Sequence, residues 1–214
     1  MDIVDIAKTR YTSKAYDAQR TLTTEQQNAI IELLRNSPSS LNLQPWHFHI
    51  IRSESAKQKI LPAMFELNSA KVKSAPEIIV FSALNTMDDE HFSLVTEKEY
   101  QDGRYADQTS KDKTDQARRG YLAKNGGDAQ QMQRWMERQI YIALGFLLLG
   151  APALGLDATP IEGFDPAALD EILDLKSQNL HSVVVAAIGY RSDEDFNADL
   201  PKSRLTQDDI VTVL

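Results

Sequence analysis

Val183-Val184-Val185-Ala186-Ala187-Ile188 is an unbroken run of small and β-branched apolar residues. At six residues it is short for a helix and reads as a strand covered on both faces. Ile78-Ile79-Val80-Phe81 is a second run of this kind. A third strand is expected at Pro45-Trp46-His47-Phe48-His49-Ile50-Ile51, opened by proline and rich in aromatic and β-branched residues. Outward from these runs, Thr23 to about Asn36 has the pattern of an amphipathic helix. Thr23 and Gln26 stand at capping-box spacing, and Ile30, Ile31, Leu33 and Leu34 form its apolar side. Met132 to Leu149 predicts a central helix, and Phe164-Asp165-Pro166 opens another, with Asp165 placed to cap and Pro166 at the first helical position. Helices and strands mix irregularly, without βαβ alternation. The expected fold class is therefore α+β, a central and largely antiparallel sheet surrounded by helices.

The chain has 214 residues, 42% hydrophobic and 25% charged, enough for one large domain spanning 1–214. Residues 97–131 are polar and interrupted by Gly103, Gly120, Gly126 and Gly127, which predicts an exposed helical excursion or lid. The segment 191–214 is a polar arm ending in Ile210-Val211-Thr212-Val213-Leu214. Such an end buries little by itself, and is expected to reach across a partner subunit and extend that subunit's sheet edge.

Several functional classes are excluded. The net charge of −8 argues against nucleic-acid binding. The most apolar stretch, Ile140 to Leu156, contains Gly145, Gly150, Pro152 and Gly155 and falls short of the ~18 residues expected of a membrane span, so a buried helix is expected there. Met1-Asp2-Ile3-Val4-Asp5 lacks the basic and apolar character of a secretory signal, which points to the cytoplasm. With no cysteine there is no thiol chemistry, and electron transfer would need a bound organic cofactor or another metal site. No nucleophile elbow, Walker loop, His-Glu-x-x-His or Gly-x-Gly-x-x-Gly motif occurs. Gly145 and Gly150 have the spacing of Walker glycines without the lysine, which reads as helix packing. His47 and His49 share a strand face but find no third ligand nearby, so no metal site is expected.

Two cationic segments stand out in this acidic chain. Lys8-Thr9-Arg10-Tyr11-Thr12-Ser13-Lys14 combines cations with hydroxyl donors just after a helical segment, and Leu200-Pro201-Lys202-Ser203-Arg204 repeats that chemistry near the other terminus. Brought together, Arg10, Lys202 and Arg204 would form a phosphate cradle. The alternative for each is an ordinary solvated turn. The loop Asn36-Ser37-Pro38-Ser39-Ser40-Leu41-Asn42-Leu43-Gln44 offers donors and acceptors, notably Ser39, Asn42 and Gln44, suited to the edge of a heteroaromatic ring. In Thr159-Pro160-Ile161-Glu162-Gly163-Phe164, glycine allows close backbone approach to a ligand.

Together with Asp102-Gly103-Arg104 and Gly155-Leu156-Asp157, these segments resemble the nitroreductase family along essentially the whole chain. That resemblance implies a homodimer with tightly but noncovalently bound FMN, two sites at the subunit interface, and a C-terminal strand exchanged between protomers. NADH or NADPH would deliver hydride to flavin N5 in a ping-pong cycle, and nitroaromatics, quinones or related small acceptors would leave reduced. Reduction of free flavin, or noncatalytic FMN binding, stand as alternatives. By the same resemblance Arg10, Lys202 and Arg204 bind the FMN phosphate with Tyr11, Thr12, Ser13 and Ser203 beside them. Lys14 and Asn68 lie at the polar edge of the ring, with Asn42 also lining the site. Backbone groups of Glu162 and Gly163 face N5 and O4, Pro160 and Ile161 also belong to the cofactor site, and Pro38, Ser39 and Ser40 line it from the partner chain. Lys14, Lys71 and Arg104 match nicotinamide-nucleotide positions, and Ser40, Leu41, Phe65 and Tyr121 would shape the acceptor pocket. Thr12 stands where serine is common, and Leu41 where a small polar residue is often found. The flavin carries the chemistry, Lys14 and Glu162 tuning or positioning it, with no catalytic triad.

Overall fold

The computed structural model of the protein describes residues 2–214. The two apolar runs become the two central strands of a four-stranded antiparallel sheet. In chain order the elements are α1 (Ile3–Thr9), α2 (Thr24–Arg35), β1 (Trp46–Ile51), α3 (Glu54–Ile60), α4 (Glu66–Ser74) and β2 (Glu77–Leu84). There follow α5 (Asp89–Gln101), α6 (Gln108–Asn125), α7 (Ala129–Ala153), β3 (Asp157–Ile161), α8 (Pro166–Ile172), β4 (Leu180–Gly189) and a short α9 (Gln207–Ile210).

The sheet order β1-β2-β4-β3 leaves β1 and β3 as edges. Alternate side chains of β2 enter opposite cores. Ile79, Phe81 and Ala83 join Val184, Ala186 and Ile188 against α2 and α7, whereas Ile78 and Val80 join Val185 and Ala187 in a second core with Tyr16, Ile60, Val72 and Leu169. This double coverage explains why the central strands are continuously apolar although antiparallel. Phe48 meets Phe81 edge-on, with ring centroids 5.2 Å apart.

Local signals hold at the helix ends. Thr23 and Gln26 form the reciprocal capping box, and Asp165 accepts from the backbone N–H of Ala167 and Ala168 ahead of Pro166. Gly155 follows α7 with φ +73°, the left-handed residue that ends the helix. Gly150 lies where a Cβ would stand 2.5 Å from Leu33, so its place is helix packing, whereas Gly145 has open space around it.

Three expectations need correction. The helical excursion begins at Asp89, where Asp88 caps α5, and α7 already starts at Ala129, so its bounds differ from 97–131. The edge strand β3 carried no apolar-run signal, because it spans five residues of which Asp157, Thr159 and Pro160 break the apolar run. In the C-terminal arm, Gln207–Ile210 form a helical turn capped by Thr206 where Ile210 was expected to start an extended end. Val211 is extended, and residues 199–214 are exposed. Among the described residues no helix is long and apolar enough to cross a membrane.

Phe81→Ala removes the largest fully buried side chain of β2. It is expected to lower unfolding free energy by about 3–5 kcal/mol in urea titration; a loss under 1 kcal/mol would show that the two cores do not depend on this strand.

Candidate functional site

The sheet carries both chain ends to one place. After β4 the chain pairs back along the N-terminal segment: Asp17 N–H donates to Tyr190 O, Ser192 N–H to Ala15 O, and Tyr16 bridges Arg191. Asp195, buried, accepts from Lys14 N–H at 3.1 Å, and the Asn197 amide donates to Thr12 O at 2.8 Å. The buried Tyr16 hydroxyl donates across the sheet surface to Thr159 and Ala187 O, and Thr159 in turn donates to Ser13 O. Residues 12–16 are thereby fixed against β3 and the C-terminal arm.

Just beyond lies a cavity of about 500 Å³ lined by Arg10, Tyr11, Thr12, Lys202, Ser203 and Arg204, with Lys8, Thr9 and Leu200 at its margin. Lys202 Nζ donates to the carbonyls of Ala7 and Arg10 at 2.6 and 2.7 Å, closing the C-terminal end of α1. Arg204 donates to Ser203 O. Burial, then the neighbouring Arg204, lowers the pKa of Arg10, and burial followed by Arg204 and Arg10 lowers that of Lys202. Cations that destabilise one another in this way favour an anion between them. The two cationic segments are one site.

A second group adjoins β3. Gly163 O accepts from Phe65 N–H at 3.1 Å and from the Asn68 amide at 2.9 Å, and Lys71 Nζ donates to Asn68 Oδ1 at 2.7 Å and to Leu67 O at 2.8 Å. A Cβ at Gly163 would stand 2.3 Å from the Asn68 amide nitrogen, so glycine is required for this approach. Lys71 is buried, and its pKa is lowered first by burial and then by the charge of Lys14. Asn68, Lys71, Phe65 and Gly163 are thus neighbours, with the charge of Lys14 close enough to act on Lys71. Pro160 and Ile161 pair with Ala186 and Val185 in β3, and the Glu162 carboxylate accepts from Tyr141 OH at 2.5 Å. Burial, followed by that bond, pushes the tyrosine up to about 12.

The remaining candidates form a separate group on the other side of α7. Ser40 N–H donates to Gln139 Oε1 at 2.8 Å, and Ser39 Oγ accepts from Gln44 N–H at 2.9 Å, leaving its own proton free to donate. Leu41, Asn42 and Gln44 have φ of 57°, 54° and 45°, a left-handed conformation costing non-glycine residues roughly 1–2 kcal/mol each. Leu43 plugs this loop into a cluster with Phe92 and Leu122, against which Leu41 packs. Pro38 opens the loop behind α2, Tyr121 is exposed on α6, and Arg104 lies in the turn after α5. Within the protomer the Asn42 amide donates to Glu99 Oε1 at 2.7 Å and its Oδ1 accepts from Gln44. Among the described residues no hydrogen bond or ion pair joins this group to the cationic one.

Glu99 was not legible as a functional residue. It is buried, receives two bonds from Arg118 at 2.6 and 2.7 Å and one from Tyr105, and stands 3.7 Å from Arg104. These partners lie on α6 and the preceding turn, at separations without any local spacing rule. Gln139, Tyr141, Asp195 and Asn197 escaped notice for the same reason. His47 and His49 do lie ring to ring, with centroids 4.7 Å apart.

The sequence profile described as the nitroreductase family matches residues 7–190. The chain belongs to the nitroreductase family. It is similar to the oxygen-insensitive NAD(P)H nitroreductase of Enterobacter cloacae, with 41% identity over 99% of both chains. It is also similar to the major NAD(P)H-flavin oxidoreductase of Aliivibrio fischeri, with 34% identity over 99% of this chain and 98% of the other. A solved nitroreductase-type chain from Exiguobacterium sibiricum in complex with FMN superposes with a TM-score of 0.86 at 25% identity, covering 100% of this chain and 98% of that one.

The acid limit of this nitroreductase-family chain has a defined contributor. Burial works against the Glu99 charge, but Arg118, Tyr105 and Asn42 outweigh it and hold the carboxyl at about 2 instead of 4.5. A depressed folded-state value gives stability that is full above pH 4.5 and lost as pH falls toward 2, worth roughly 3 kcal/mol. Replacing both Glu99 and Arg118 by apolar residues should flatten the pH dependence of the unfolding midpoint between pH 5 and 2; an unchanged slope would assign acid sensitivity elsewhere.

Proposed function

We propose that the protein is an NAD(P)H-dependent FMN oxidoreductase of small electron acceptors, acting as a homodimer, with residues 1–214 forming one FMN-binding domain. The observation that carries this reading is the joining of Arg10, Lys202 and Arg204 around a 500 Å³ cavity beside the Lys14, Asn68, Lys71 and Gly163 cluster. These residues fit FMN: three mutually repelling cations suit its phosphate, and the lysines and amide suit the electron-rich edge of its ring. The buried Ser13 hydroxyl lacks a partner and provides a further donor near the cradle. When bound, FMN supplies the two-electron carrier between NAD(P)H and the acceptor.

The protein's own groups bind and orient. Arg10, Lys202, Arg204, Tyr11, Thr12 and Ser203 hold phosphate, while Lys14, supported by Lys71, places positive charge where negative charge gathers on reduction. Backbone groups of Pro160, Ile161, Glu162 and Gly163 border the reacting face, and Tyr141 holds the Glu162 side chain in place. Pro38, Ser39, Ser40 and Asn42 line the same site from the partner protomer, with Leu41, Phe65 and Tyr121 shaping the acceptor space and Arg104 meeting the nicotinamide nucleotide. Support for a second protomer comes from the exposed apolar side of α7, where Tyr141, Ile142 and Phe146 are each more than 40% accessible beside the open Gly145. The exposed arm, with Leu205, Ile210, Val211, Val213 and Leu214 uncovered, fits an embrace of that protomer. The names of the relatives, one a nitroreductase and one a flavin oxidoreductase, support acceptors that include nitro compounds and free flavin.

Purified protein is expected to be yellow, to bleach on anaerobic addition of NADH or NADPH, and to regain its spectrum when a quinone or nitroaromatic is added. Bound flavin that stays oxidised with both nucleotides would reject the enzymatic reading. Arg204→Ala is expected to weaken FMN affinity at least tenfold while leaving the apo thermal midpoint within a few degrees, since it removes one charge-assisted contact of about 1.5–3 kcal/mol. Equal FMN affinity in a fluorescence titration would remove Arg204 from the cradle.

A further inference from the structure

Glu99 is a buried carboxylate whose contacts reach the loop before β1, the turn after α5 and the body of α6. Its two oxygens accept from the Arg118 guanidinium on α6, from Tyr105 OH, and from the Asn42 amide at 2.7 Å. Its backbone carbonyl accepts from Arg104 N–H at 3.0 Å, and the Arg104 side chain lies 3.7 Å from its carboxylate. The Ser39–Gln44 loop holds three left-handed non-glycine residues, and its internal bonds from Gln44 to Ser39 and Asn42 are supplemented from outside. Three ties over-determine it: Asn42 to Glu99, Ser40 to Gln139, and Leu43 O to His91 on the same helix as Glu99.

We propose that Glu99 is the positioning residue of the donor and acceptor wall, setting the strained Ser39–Gln44 loop through Asn42 and the nicotinamide-binding turn through Arg104 and Tyr105. The proposal rests on the reading of this protein as an FMN oxidoreductase and concerns the side of the site away from the phosphate cradle. Hydrogen bonds to a bidentate ion pair have fixed directions, which an apolar contact lacks. A buried pair of this kind is weak evidence of stability, since apolar replacements of similar volume are frequently neutral or stabilising, and is better suited to holding one geometry among several. Because both walls meet at one carboxylate, a disturbance there is felt by NAD(P)H and acceptor together. The phosphate-cradle residues Arg10, Lys202 and Arg204 make no hydrogen bond to Glu99 among those described.

The double variant Glu99→Met, Arg118→Leu removes both buried charges without stranding either. Purified holoprotein is to be compared with the parent for FMN content, NADH steady-state kinetics, and kcat/KM for a benzoquinone against a nitroaromatic. The expected result is parent-level FMN content, a KM for NADH raised about tenfold with kcat less than threefold lower, and a quinone-to-nitroaromatic ratio shifted at least fivefold. FMN content, KM and ratio all within twofold of the parent would overturn the proposal and leave the ion pair a purely structural element. Should the double variant fail to fold, Tyr105→Phe removes only the hydroxyl that ties the turn after α5 to Glu99. It is expected to raise the KM for NADH at least threefold at unchanged FMN content, and a KM within 1.5-fold of the parent would again overturn the assignment. A parent protein that neither NADH nor NADPH reduces would instead sink the oxidoreductase reading, and with it the role of Glu99, before any variant is compared.

Discussion

The antiparallel pairing of β2 with β4 is the contact on which the molecule is built. Neither strand has a free edge, and alternate side chains of both enter cores on opposite faces, so Ile78 through Phe81 and Val184 through Ile188 lie in full burial. Everything else is placed by what flanks this pair. α2 and α7 cover one face; the N-terminal segment around Tyr16, α3, α4 and α8 cover the other. The edge strand β3 pairs only with β4, and it delivers Glu162 and Gly163 at its end.

Because β4 runs out beside the N-terminal segment, residues far apart in the chain become a single surface. Tyr16 is the hinge of that arrangement: burial raises its pKa, so its hydroxyl remains a neutral donor to Thr159 and Ala187. Asp195 and Asn197 then tie the returning arm to Lys14 and Thr12, which sets Arg10 opposite Lys202 and Arg204. An acidic protein of net charge −8 thereby concentrates cations at one spot, and the field there is opposite in sign to that of the molecule as a whole. α7 serves both halves of the proposed site, since Gln139 holds the Ser40 backbone and Tyr141, on another side of the helix, holds Glu162.

The helical excursion is joined to the body by the ion pair of Glu99 and Arg118 together with the small apolar cluster of Leu43, Phe92 and Leu122. The left-handed loop from Leu41 to Gln44 is held against it by hydrogen bonds from both α5 and α7. Strain of this kind persists only where neighbours over-determine it. Loop and excursion therefore form one surface, and among the described residues no hydrogen bond or ion pair joins it to the Arg10–Arg204 cavity. The proposed site would join the two across a pair of protomers.

By itself the sequence determined whatever depends on short-range pattern. Continuous apolar runs marked β2 and β4, the spacing of Thr23 and Gln26 marked the start of α2, and Asp165-Pro166 marked α8. The two cationic segments and Gly163 were legible because charge in an acidic chain and an uncompensated glycine are visible residue by residue. Tertiary structure alone decided the rest. β3 is an edge strand interrupted by proline, and its strand character comes from its partner β4. The turn at Gln207–Ile210 follows from a cap at Thr206 that competes with the β-propensity of Ile210. Glu99, Arg118, Asn42 and Arg104 meet only after α5 and α6 fold back on the loop before β1, and no periodicity relates their positions. A buried carboxylate is chosen by three-dimensional surroundings that supply its charge partners, which is why a residue in the last turn of α5 could be read only once those surroundings were in place.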